Sequence, residues 1–62
     1  MNPLIKEWLV EMYNTEIENT KKTISNERIW ANGSDNPEVH LGNIETLEEY
    51  IETLEELKEE IS

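Results

Sequence analysis

The chain contains no cysteine, so no disulfide can staple it. His40 is the only histidine, which excludes a zinc site of the usual Cys/His kind. Phenylalanine is absent, and two glycines and two prolines leave few breaks. Bases are scarce. Five Lys and Arg stand against fifteen Asp and Glu, for a formal charge of −10. That balance argues against direct contact with nucleic acid or an anionic membrane, both of which attract cations. It suits a protein partner with a basic face. No apolar run is longer than Trp8-Leu9-Val10, far short of a membrane span. Met1 is followed by no basic-then-apolar leader, so a cytoplasmic location is expected. Asn32-Gly33-Ser34 matches a glycosylation sequon but reads as a turn.

Sixty-two residues allow one domain, and so short a chain is marginal by itself. With disulfide and zinc excluded, association with a second copy is the remaining common source of stability.

Strand-like alternation is missing throughout, and helical spacing is present twice. Asn2-Pro3 is a cap followed by a proline at the first helical position. From there Ile5, Leu9, Met12 or Tyr13, Ile17, Thr20 and Ile24 define a stripe. It weakens at Glu27 and Arg28 and resumes at Ile29, Trp30 and Ala31, with Trp30 and Ile29 expected to close the loop end of the core. Asn32-Gly33 supplies the stop, with glycine available for a left-handed residue. The first helix is therefore predicted over about 3–32. Asn36-Pro37 offers a second start, and Gly42 complicates it. Either the second helix begins near Pro37 and tolerates Gly42, or 37–41 is a short irregular piece and the main helix begins at Asn43. The second reading is slightly favoured, giving a connector over about 33–42 that contains His40, and a helix over about 43–61. Ile44, Leu47, Ile51, Leu54, Lys58 and Ile61 form its three-four seam, with Tyr50 and Leu57 flanking. The fold class expected is all-α: an antiparallel helical hairpin with a long first helix, assembling as a homodimeric bundle.

The lengths differ. If Ala31 stands near Ile44, then Ile61 falls opposite Asn14, and residues 3–11 lack a partner in their own chain. That end holds Leu4, Ile5, Trp8 and Leu9, which with the adjoining Met12 are the expected dimer interface. Full burial of each such side chain contributes roughly 1.5–3 kcal/mol, and a two-fold dimer is the simplest shelter.

The charge is unevenly placed. Residues 38–62 hold nine acids and one base, whereas 1–37 hold six acids and four bases. Glu45, Glu48, Glu49, Glu52, Glu55, Glu56 and Glu59 form a candidate partner-binding face. An ordinary solvated helix mixes signs to gain i,i+4 pairs; here Glu48/Glu52, Glu52/Glu56 and Glu55/Glu59 repel. One reading is a solvated outer face that keeps a small protein soluble; the retained repulsion points instead to use against a basic groove, such as one that normally holds nucleic acid. Carboxylates spread over a solvated helix have no pocket to push their pKa values apart, so no enzyme, cofactor or metal site is expected. Lys21, Lys22 and Arg28 form the single basic cluster.

The chain length, the early Trp8, the segment Ile24-Ser25-Asn26-Glu27-Arg28-Ile29-Trp30-Ala31-Asn32-Gly33-Ser34 and the closing Tyr50-Ile51-Glu52-Thr53-Leu54-Glu55-Glu56-Leu57 resemble small acidic proteins of phages and prophages of Gram-positive bacteria, some of which block host defence. In size and character the chain is most similar to the short inhibitors of the Hachiman system. The resemblance covers most of the chain and implies a homodimer that inhibits a complex containing a helicase and a nuclease. It transfers no functional residue. Other readings consistent with the residues are an antitoxin or anti-activator that masks a host protein, and a structural coiled-coil module.

Overall fold

The computed structural model describes all 62 residues as α1 (Pro3–Gly33) and α2 (Pro37–Ile61), with no strand. Neither helix is long and apolar enough to cross a membrane. The two lie side by side in a rod of 50 × 14 × 9 Å. Its radius of gyration is 14.7 Å, against about 11 Å for a compact chain of this length.

The start of α1 follows its sequence. Asn2 Oδ1 accepts the Leu4 N–H at 2.8 Å, and Pro3 occupies the first turn. The poor helix formers further along are accommodated by back-bonding. The hydroxyls of Thr20, Thr23 and Ser25 donate to the carbonyls of Glu16, Asn19 and Lys21, which keeps them from competing elsewhere. The end differs from expectation. Gly33 is helical, no glycine has positive φ, and Ser34 terminates the helix in an extended conformation with its N–H on Ala31 O. Ser34 Oγ then accepts the Asn36 N–H at 3.0 Å and turns the chain.

Only Ser34, Asp35 and Asn36 connect the helices. The favoured start at Asn43 is therefore corrected to Pro37. The proline sets the first turn, although Asn36 makes no side-chain cap bond. Gly42 is carried inside the helix because packing of Ile44 and His40 on α1 outweighs the roughly 1 kcal/mol penalty of one glycine. Its position is solvent-facing, and a Cβ there meets nothing within 4 Å. Gly42→Ala should therefore raise stability by about 0.5–1 kcal/mol, read as a higher thermal midpoint.

Burial follows a strict three-four pattern on both helices. On α1 it runs Val10, Tyr13, Ile17, Thr20, Ile24, Glu27, Ala31; on α2 it runs His40, Ile44, Leu47, Ile51, Leu54, Lys58, Ile61. Apart from Leu9 and Ser34, no other residue is even half-buried. This is the seam of a two-stranded antiparallel coiled coil, with a and d positions inward. Cross-helix contacts set the register: His40 and Asn43 on Glu27, Tyr50 on Glu16, Lys58 on Asn14. Carrying the three-four steps on from these contacts puts Ile17 level with Leu54, and Val10 with Ile61. The expected pairing of Ile61 with Asn14 thus shifts by about one turn, because the short connector lets α2 begin earlier.

The core is thin. Ile17, Ile24, Ala31, Ile44 and Leu54 are its buried apolar members, and no side chain is completely enclosed. The accessible surface is 4799 Å², whereas a compact globular chain of 7.3 kDa exposes about 4,200 Å².

Candidate functional site

With the seam labelled a and d, the remaining positions fall into distinct sectors. Glu45, Glu52 and Glu59 take b, Glu48 and Glu55 take e, and Glu49 and Glu56 take f. These three positions adjoin on a helix, so the seven carboxylates form one continuous strip along α2. All seven are exposed. No cation from α1 lies within 4.0 Å of any of them, although Lys21 borders a recess shared with Glu55 and Glu59. Lys21 makes its one ion pair within α1, with Glu18 at 4.0 Å, and neither Lys22 nor Arg28 makes any. Lys58 donates to Asn14 Oδ1 at 2.8 Å and to no carboxylate.

The apolar end of α1 is arranged differently from what a simple overhang requires. Met1 and Trp8 occupy f, Leu4 occupies b, and Ile5 and Met12 occupy c. All five stand off the seam, although Met12 also borders the flank where Tyr50 and Leu54 of α2 approach. Their exposures are 76, 55, 51, 47 and 66% in that order. Met1, Ile5, Trp8 and Met12 keep a four-three-four spacing, so α1 carries a second seam on its back. Leu9, grouped with these residues from the sequence, sits at g beside the first seam and is half-buried. The uncovered end is also shorter than expected, because Val10 is half-buried opposite Ile61.

Further large apolar side chains are exposed at the loop end. Ile29 is 67% and Trp30 53% exposed, so neither closes the core as expected. The seam ends at Ala31, and the connector is too short to fold over them. Val39 and Leu41 are exposed nearby.

His40 is also corrected. It lies in α2 on the seam rather than in a connector. Its Nδ1 is 2.7 Å from Glu27 Oε2, and its ring centroid is 6.1 Å from that of Trp30. A carboxylate only accepts, so Nδ1 carries the hydrogen in either charge state of the ring. Asn43 Nδ2 approaches the same oxygen at 3.4 Å. Glu27 is among the few buried polar residues, and this polar layer is what makes its burial tolerable. Its signal in the sequence was the three-four step from Ile44 back to His40 and from Ile24 on to Glu27. His40→Ala leaves the Glu27 carboxylate with one long hydrogen bond. A loss of about 1–3 kcal/mol is expected in chemical denaturation, and Trp30→Ala should cost less because that ring is half in solvent.

Between the helices on the g flank, Tyr50 donates its O–H to Glu16 Oε1 at 3.3 Å. Partial burial against α1, with the charge and hydrogen bond of Glu16, pushes its phenol above the ordinary value of 10.0.

The hairpin therefore has an acidic strip on α2, an apolar seam on the back of α1, and a mixed flank between them. Comparison of the chain with protein-family models, curated proteins and solved structures finds no match.

Proposed function

We propose that this chain is a non-enzymatic inhibitor that acts by binding a basic protein surface in the bacterial cytoplasm. The class is that of small phage-encoded anti-defence proteins, and the proposed target is a Hachiman-type helicase–nuclease complex. The chain works as a homodimer joined through the back of α1, which leaves both acidic strips outward.

The observation that carries this reading is the unneutralised strip. Glu45 to Glu59 spans roughly 21 Å of helix axis at 1.5 Å per residue. Seven carboxylates over that length recur about every 3.5 Å of helix axis, similar to the roughly 3.4 Å of duplex axis per phosphate of one strand. A groove lined with Lys and Arg to hold a strand meets a similar linear density of negative charge on this helix. A helicase and a nuclease both need such grooves. Their occupation by a protein rod blocks the substrate without any chemistry.

Expression in cells that carry the defence system should restore phage plating, and the purified chain should inhibit the complex's nuclease. Glu→Gln at Glu48, Glu52, Glu55, Glu56 and Glu59 should abolish both while helicity persists. Inhibition by the unaltered chain should fall steeply as salt rises. Full protection by the neutralised variant refutes the charge reading. Neutralisation of a co-encoded toxin, with no effect on phage plating, would favour the antitoxin instead.

A further inference from the structure

The flank between the helices contains a groove of about 240 Å³ lined by Leu9, Met12, Tyr13, Glu16, Tyr50 and Leu54. It is smaller than the roughly 300–1,000 Å³ of small-molecule sites and suits a single side chain. Glu16 is the one charged residue in its lining. Tyr50 holds one of its carboxylate oxygens, and no Lys or Arg nitrogen lies within the 4.0 Å of an ion pair. Two tyrosine rings, a thioether and an unneutralised carboxylate thus converge on one recess.

We propose that this groove is the socket for one arginine side chain of the protein partner, its guanidinium on Glu16 and its plane against the tyrosine rings. The inference rests on the reading that the partner is basic, and adds an anchor separate from the acidic strip. Arginine fits better than lysine. Its planar fork pairs with a carboxylate through parallel hydrogen bonds and stacks on aromatic faces, and it is less strongly hydrated than an ammonium. Arginine is also among the residues that most often dominate an interface.

The test is an NMR titration of the full chain with methylguanidinium chloride, methylammonium chloride and sodium chloride at equal ionic strength. Methylguanidinium should shift the Tyr13 and Tyr50 rings and the Met12 methyl in a saturable way. Methylammonium should do so several-fold more weakly, and sodium not at all. Glu16→Gln should remove the saturable response, and Tyr50→Phe should weaken it several-fold. Glu16 is exposed, so Glu16→Gln should keep its helical circular dichroism. Groove shifts that survive Glu16→Gln, or shifts confined to the α2 glutamates, overturn the proposal. Neutralising Glu48, Glu52, Glu55, Glu56 and Glu59 should leave the groove response intact, so the strip and the socket can fail independently.

Discussion

Trp8→Asp is expected to weaken the proposed dimer by at least about two orders of magnitude in Kd while leaving the hairpin folded. Trp8 is 55% exposed in the single chain and stands at f, on the side of α1 opposite the core seam. Its removal therefore takes nothing from the contact between α1 and α2. In a two-fold dimer through the back of α1, each chain contributes the same indole, so one substitution deletes two anchors and buries two charges. A loss of about 3 kcal/mol corresponds to the stated change. Analytical ultracentrifugation across a concentration series reads the Kd, and circular dichroism reads the helix. Leu9→Asp is the wrong probe, because Leu9 is half-buried beside the first seam and would damage the hairpin as well. A chain that is monomeric at micromolar concentration before any substitution removes the dimer from the account. Loss of helicity in Trp8→Asp would instead mean that the back of α1 supports the fold in a way its exposure does not suggest.

The second large effect is on stability. Leu54→Ala should lower it by about 2–5 kcal/mol. A chain of 62 residues at roughly 0.05–0.15 kcal/mol per residue has only about 3–9 kcal/mol in total. Leu54 is one of five buried apolar side chains, 6% exposed, level with Ile17. Few other contacts remain to hold that turn of the hairpin when it is cut back. The open edges of a two-helix seam let neighbours relax, which favours the lower half of the range. Leu41→Ala supplies the comparison. Leu41 is 56% exposed at the loop end, and its truncation should change stability by well under 1 kcal/mol. Both variants are compared in urea at one fixed protein concentration, because association shifts the apparent midpoint. Equal midpoints for the two would mean that the seam is not what holds the helices together.

Much of this architecture was legible in the residues. Asn2-Pro3 marked the first start, Asn36-Pro37 offered the second although Asn43 was favoured over it, the spacing from Ile44 to Ile61 gave the α2 seam, and the distribution of glutamate gave the acidic strip. These are local properties: a cap, a period, a charge count. Two readings failed where a local signal met a tertiary one. Gly42 argued for a break by propensity, and packing against α1 overrode it. Trp30 and Ile29 argued for burial by size, and their f and g positions left them in solvent.

The sequence by itself determined that the chain forms two amphipathic helices of opposite direction, with the acids concentrated on the second. Periodicity and composition are properties of each segment alone and need no partner to be read. Only the tertiary structure decided which face of α1 meets α2. The apolar residues from Met1 to Tyr13 surround that helix, and no period can rank two competing stripes. The choice was made by continuity with Ile17, Ile24 and Ala31 further along, whose contact with Ile44 and Leu54 commits the seam to Val10 and Tyr13. The same contact turns Trp8 outward, draws Glu27 onto His40, and opens the groove at Glu16 and Tyr50.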